Sequence, residues 1–113
     1  MKFTYSLQKN RDFQLVYKKG KSSGSKYLVV IVLNNNRKYN RIGISASKKV
    51  GHAVLRNRTR RRLKEAYRLL EHQTACGYDI VVLPRAGSAE ADYAALASQL
   101  KYLLRKQGVL HPV

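Results

Sequence analysis

From Phe13 to Lys64 the chain carries no acidic residue, yet these 52 residues hold 15 of its 23 lysines and arginines. Local ion pairing cannot neutralise such a stretch, so a fold containing it must turn the cations outward or bring distant acids to them. Only six acids exist for that purpose: Asp12, Glu65, Glu71, Asp79, Glu90 and Asp92. The 113-residue chain has a formal charge of +17 and a pI near 10.4. Its length predicts one domain, residues 1–113, with a modest core. A compact domain bearing this much like charge is relieved by a polyanion, and nucleic acid is the first partner class to consider.

Apolar patterning excludes a disordered basic tail. No apolar run approaches the length of about 18 residues that a membrane helix needs, the longest being Tyr27 to Leu33. The N-terminal residues have no apolar signal-peptide core, which predicts a cytoplasmic protein and no membrane partner. Cys76 stands alone, so it makes neither an internal disulfide nor a zinc site by itself.

Asn10 is a candidate cap for a short helix whose Phe13, Val16 and Tyr17 share one face, with Gly20 at its end. Tyr27–Leu33 and the alternating Arg41–Ser47 read as strands, expected to pair as a hairpin across a long loop. A long helix is predicted over residues 52–73, a third strand over Tyr78–Pro84, and a last helix beginning at Ser88. Glu90 and Asp92 suit the start of that helix, and Tyr93, Leu96, Ala97, Leu100, Leu103 and Leu104 form its core stripe. These elements define an α+β class, a small sheet backed by helices.

The long helix carries the chemistry. Leu55, Thr59, Leu63, Ala66 and Leu70 fall on one face, and Asn57, Arg61, Lys64 and Arg68 on the opposite one. Arg58 and Arg62 form a flanking row, and Arg56 falls nearer the buried side, able to reach around the helix edge. Lys48 and Lys49 extend the basic patch toward the helix N-terminus, where free N–H groups favour phosphate. Arginine suits this task because its planar fork takes phosphate oxygens in pairs and stacks on bases. A merely solvated face would mix charge signs, and this one has no acid before Glu65. Phe13 and Tyr17, beside Lys18, Lys19 and Lys21, suit stacking of single-stranded RNA, although periodicity alone favours simple packing. His52, His72 and His111 lack metal-ligand spacing, and the acids form no two-metal pattern. No active site belonging to the chain itself is expected, nor a dedicated small-molecule ligand.

The segment Lys48-Lys-Val-Gly-His-Ala-Val-Leu-Arg-Asn-Arg-Thr-Arg-Arg resembles the Arg-Asn-Arg motif of the bacterial ribonuclease P protein family. The likeness continues in order through Asp12-Phe-Gln-Leu-Val-Tyr17, Gly20-Lys-Ser, Arg41-Ile-Gly-Ile-Ser-Ala-Ser47 and Gly77-Tyr-Asp-Ile-Val-Val. The resemblance implies three helices on a four-stranded mixed sheet, with a short strand near Ser22 to Ser25. It also implies a left-handed strand–helix–strand crossover through the arginine helix, an exception to the usual hand. In that family the protein joins a catalytic RNA, and the complex removes the 5′ leader of precursor tRNA with Mg²⁺ held mainly by the RNA. The implied contacts to the RNA subunit are Lys48, Lys49, Arg56, Asn57, Arg58, Arg61, Arg62, Lys64 and Arg68. The implied leader cleft holds Phe13, Tyr17 and Arg85, with Ile31 where relatives often carry an aromatic. His52 stands where the family commonly has Asn, a better helix cap, and Pro84 where a basic residue is frequent.

Two alternatives compete with this reading. A ribosomal protein shares the size and charge but gives no reason for the Phe13–Tyr17 cleft or the full motif order. A self-sufficient nuclease needs an acid–base or metal cluster that the sequence lacks.

Overall fold

Leu28–Asn34 and Tyr78–Pro84 are near-continuous apolar runs, the pattern of strands covered on both faces. In the computed structural model, which describes residues 4–111, they lie antiparallel and side by side within a five-stranded mixed sheet. The strands are β1 (Thr4–Ser6), β2 (Lys21–Gly24), β3 (Leu28–Asn34), β4 (Asn40–Ile44) and β5 (Tyr78–Pro84). The helices are α1 (Asn10–Lys19), α2 (Ala53–Leu70) and α3 (Tyr93–Lys106), with 3₁₀ turns at Lys48–Val50, Glu71–Gln73 and Ser88–Glu90. Sheet order is β1-β4-β5-β3-β2.

That order corrects the expected hairpin. β5 inserts between β3 and β4, antiparallel to the first and parallel to the second. The reason is burial: Ile80, Val81 and Val82 are all fully covered, which only a position inside the sheet provides. β4 reaches its parallel neighbour β5 through α2, the strand–helix–strand unit that the resemblance implies.

The sheet also has one strand more than the four expected. β1 pairs in parallel with β4, Thr4 opposite Asn40 and Ser6 opposite Ile42. Three residues are too few to show alternation, and a buried polar network fixes the strand instead. Thr4 Oγ1 lies 2.9 Å from the hydroxyl of Tyr67, which also accepts from Asn40 Nδ2 at 3.4 Å. Asn40 donates further to the Ala75 carbonyl and accepts from the Tyr78 N–H.

Helix boundaries shift slightly. Lys9, not Asn10, occupies the cap position of α1 and makes no side-chain cap bond. α2 stops at Leu70 and continues as a 3₁₀ turn, and His52 caps its start without a side-chain bond. Gly20 ends α1 for want of space: a Cβ there would lie 2.5 Å from the Val16 carbonyl oxygen and 2.6 Å from Ile31 Cγ2.

Alternation along the strands divides the apolar residues between two faces. Leu28, Val30, Val32, Ile80 and Val82 meet Leu63, Ala66, Tyr67 and Leu70 of α2 and Leu96, Leu100, Leu103 and Leu104 of α3. On the other face, among the described residues, α1 is the one helix that covers the sheet, packing Val16 on Ile31 and Val81, with Leu7 alongside. Phe13, Val29, Leu33 and Leu83 border this smaller cluster and stay partly exposed.

Candidate nucleic-acid interface

The apolar stripe of α2 is buried at Thr59, Leu63, Ala66 and Leu70, with Tyr67 joining it against the core, while Leu55 is only half-buried. This burial sends Asn57, Arg61, Lys64 and Arg68 into solvent. Arg60 belongs with them, although sequence reasoning passed over it. It stands three residues after Asn57 and four before Lys64, and its guanidinium holds Asn57 Oδ1 at 2.5 Å. Lys48 and Lys49 are exposed on the 3₁₀ turn before the helix, where Ser47 Oγ accepts from the Lys49 N–H.

Three arginines of α2 point elsewhere. Arg56 does reach around the helix edge, donating to the Gly51 carbonyl at 3.0 Å. Arg58 donates to the Ala89 carbonyl at 2.8 Å and Arg62 to that of Ala91 at 3.1 Å. The flanking row thus lies against the segment between β5 and α3.

Acids remove two further cations from the outward set or partly neutralise them. Arg41 grips Asp79 in a two-pronged pair at 2.9 and 2.6 Å and also reaches Asp12 at 3.4 Å. The hydrogen bonds that Arg41 donates to Asp79 raise the Arg41 pKa further above its ordinary value, against the opposing effect of burial. Arg68 and Glu65 form an exposed pair at 2.6 Å, which lowers the Glu65 carboxyl below its usual range.

The half-covered sheet face forms the second part of the site. Phe13 lies directly over Gly43 of β4, where a Cβ would meet the ring at 2.4 Å. The Phe13 and Tyr17 ring centroids are 6.3 Å apart, and Tyr17 is 38% exposed. Ile31 is buried beneath Gly20 and α1, so it serves as floor and not as a stacking surface. Arg85 is exposed at the far side of this face, its Nη1 donating to the Ser25 carbonyl at 3.1 Å. A groove of about 310 Å³ there brings Arg85 together with Lys49, Val29, Leu83 and Pro84. A second groove, about 240 Å³, joins the two surfaces: Phe13, Leu7, Ile42 and Ile44 face Arg60, Arg61 and Lys64.

Among the described residues, no group of three His, Cys, Asp or Glu side chains converges to hold a metal ion, and no helix is long and apolar enough to cross a membrane. Fold and surface define a small basic α+β protein that presents a cationic helix beside a half-open apolar sheet face. Comparison with known proteins narrows that class to one family. The family model for ribonuclease P matches residues 1–108, and the chain belongs to the ribonuclease P protein family. It is 43% identical over 110 residues to the ribonuclease P protein component of Alkaliphilus metalliredigens, covering 97% of this chain and 99% of that relative. Identity to the component from Clostridioides difficile is 46% over 107 residues, 94% of each chain. The fold is similar to the solved Staphylococcus aureus RNase P protein, with a TM-score of 0.87 at 34% identity over 95% of this chain and 98% of that one. For the Thermotoga maritima RNase P protein the TM-score is 0.82 at 35% identity, covering 89% and 96%.

Proposed function

We propose that the chain is the non-catalytic subunit of ribonuclease P and holds two RNAs on two surfaces. Asn57, Arg60, Arg61, Lys64 and Arg68, with Lys48 and Lys49 before the helix, grip the phosphates of the catalytic RNA. The half-open face, with Phe13 and Tyr17 on one side and Arg85 on the other, receives the single-stranded 5′ leader of precursor tRNA. The observation that carries this reading is the juxtaposition of aromatic rings on a partly bare sheet face with a cationic helix. Bases unstacked from a leader find π-faces there, while phosphates of the catalytic RNA find the guanidinium groups of α2 alongside. A ribosomal protein needs only the helix.

In this reading hydrolysis belongs to the RNA subunit, whose Mg²⁺ supplies Lewis-acid and nucleophile-activating chemistry. Three of the protein's six acids are already engaged by arginines, Asp12 and Asp79 by Arg41 and Glu65 by Arg68, in keeping with that division of labour. The protein contributes binding and orientation, raising the concentration of substrate at the RNA and fixing its leader. The test is cleavage of precursor tRNA at low Mg²⁺ with RNA alone, protein alone and both together. The expected result is slow cleavage by RNA, none by protein, and rapid cleavage by the pair. Cleavage by protein alone, or no gain on adding it to RNA, contradicts the proposal.

A further inference from the structure

Both arginines of the Arg-Asn-Arg motif donate to backbone carbonyls, Arg56 to Gly51 just before its own helix and Arg58 to a different element. The Arg58 guanidinium is turned off the outward stripe; its Nε is buried among protein atoms and its Nη2 donates to the Ala89 carbonyl at 2.8 Å. One helical turn later, Arg62 Nη1 donates to the Ala91 carbonyl at 3.1 Å. Both acceptors lie on the short connection between β5 and α3, where Ser88 is fully buried and Ala89 and Ala91 are 2% and 7% exposed.

That connection begins at Arg85. The Arg85 carbonyl accepts from the Ser88 N–H at 3.1 Å, closing a tight turn, and Gly87 takes a left-handed conformation (φ 90°, ψ −12°) suited to the third position of a type II turn. Two further bonds run from the Glu90 N–H to the Gly87 carbonyl and from the Ala91 N–H to the Ser88 carbonyl, so residues 85–91 form one hydrogen-bonded unit. One end carries the exposed Arg85 at the groove with Lys49, Val29 and Leu83; the other is held by α2.

We propose that Arg58 and Arg62 are positioning residues that act through residues 85–91, holding Arg85 at the leader groove, and that they do not bind phosphate of the RNA subunit. The inference rests on the leader-binding reading above and adds to it a mechanical link between the two surfaces. A long side chain on a helix flank is suited to this because the guanidinium donates in a fixed plane to backbone carbonyls. The link also gives the buried carbonyls of Ala89 and Ala91 hydrogen-bond donors.

The experiment measures, for the reconstituted ribonucleoprotein, the affinity ratio of precursor tRNA with a leader to mature tRNA, and separately the salt dependence of protein binding to the RNA subunit. Arg58→Ala is expected to lower the ratio about three- to tenfold, the scale of coupling between residues in one network. It should leave the log–log salt slope unchanged, where Arg61→Ala flattens it by about one unit per lost phosphate contact. Adding Arg58→Ala to Arg85→Ala should lower the ratio no further. Arg58→Lys, which keeps a donor, should recover part of the ratio, and it carries the test if the alanine variant fails to fold. A flattened slope for Arg58→Ala with an unchanged ratio overturns the proposal, as does an equal loss for both tRNAs. An unchanged ratio in Arg85→Ala alone would instead defeat the leader-groove reading on which it rests.

Discussion

The two faces of the sheet are built from the same strands and serve opposite ends. One is sealed by α2 and α3, so that Leu28, Val30, Ile80, Val82, Leu96, Leu100, Leu103 and Leu104 are almost wholly buried. The other is crossed, among the described residues, by the single helix α1, and Val29, Leu33, Leu83 and Phe13 remain partly open. In a small domain, stability comes from the sealed face; the apolar surface left on the other is available for a ligand. The difference arises along each strand, since neighbouring residues such as Val29 and Val30 point to opposite faces.

The contrast is broken most directly by truncating each face in turn. Leu100→Ala on the sealed face should cost about 2–5 kcal/mol of unfolding free energy, and Val29→Ala on the open face about 1 kcal/mol, both read by urea denaturation. Similar losses would show that the open face is as much core as the other. Gly43→Ala sharpens the point, because its methyl group must displace the Phe13 ring. The expected cost is about 1–3 kcal/mol of stability, with loss of the precursor-over-mature preference; an intact preference would mean that the ring's seat does not matter. Smaller still is the effect of freeing Arg68. Glu65→Gln removes the exposed partner and should strengthen binding to the RNA subunit by less than about threefold, as surface pairs are worth little. Because the Glu65 carboxyl is held below its usual range, the pair should persist as pH falls through that range and release Arg68 only below it. Weaker binding in Glu65→Gln would show that the pair organises Arg68 for its contact.

Much of this arrangement was legible in the residues. The spacing of Leu55, Thr59, Leu63, Ala66 and Leu70 located the long helix and its outward side, and the apolar run of β5 marked a strand buried in its middle. Strand order was not legible, since one sequence contains no pairing signal, and β1 was too short to alternate. The helix wheel placed Arg58 and Arg62 on the flank but went no further, because angular position describes where a Cβ leaves the helix. It does not describe where a long side chain ends when buried carbonyls lie within reach. Arg60 was passed over, although the three-and-four spacing that found its neighbours reaches it as well. Phe13 and Tyr17 stood out as an aromatic pair on one helix face. Their partial exposure depends on which strands lie beneath α1, and Gly43 gave no sign in sequence of the ring above it.

The central claim is that the two surfaces have separate jobs, and one comparison tests it. The affinity ratio of precursor to mature tRNA should be measured for the reconstituted ribonucleoprotein with the native protein, with Phe13→Ala plus Tyr17→Ala, and with Arg61→Ala. Stacking worth about 1–3 kcal/mol per base predicts at least a roughly tenfold fall in the ratio for the aromatic pair. Arg61→Ala should weaken assembly with the RNA subunit and leave the ratio of the assembled particle unchanged. Equal losses for both tRNAs in the aromatic variant, or a fallen ratio in Arg61→Ala, would contradict the division of the surface between two RNAs.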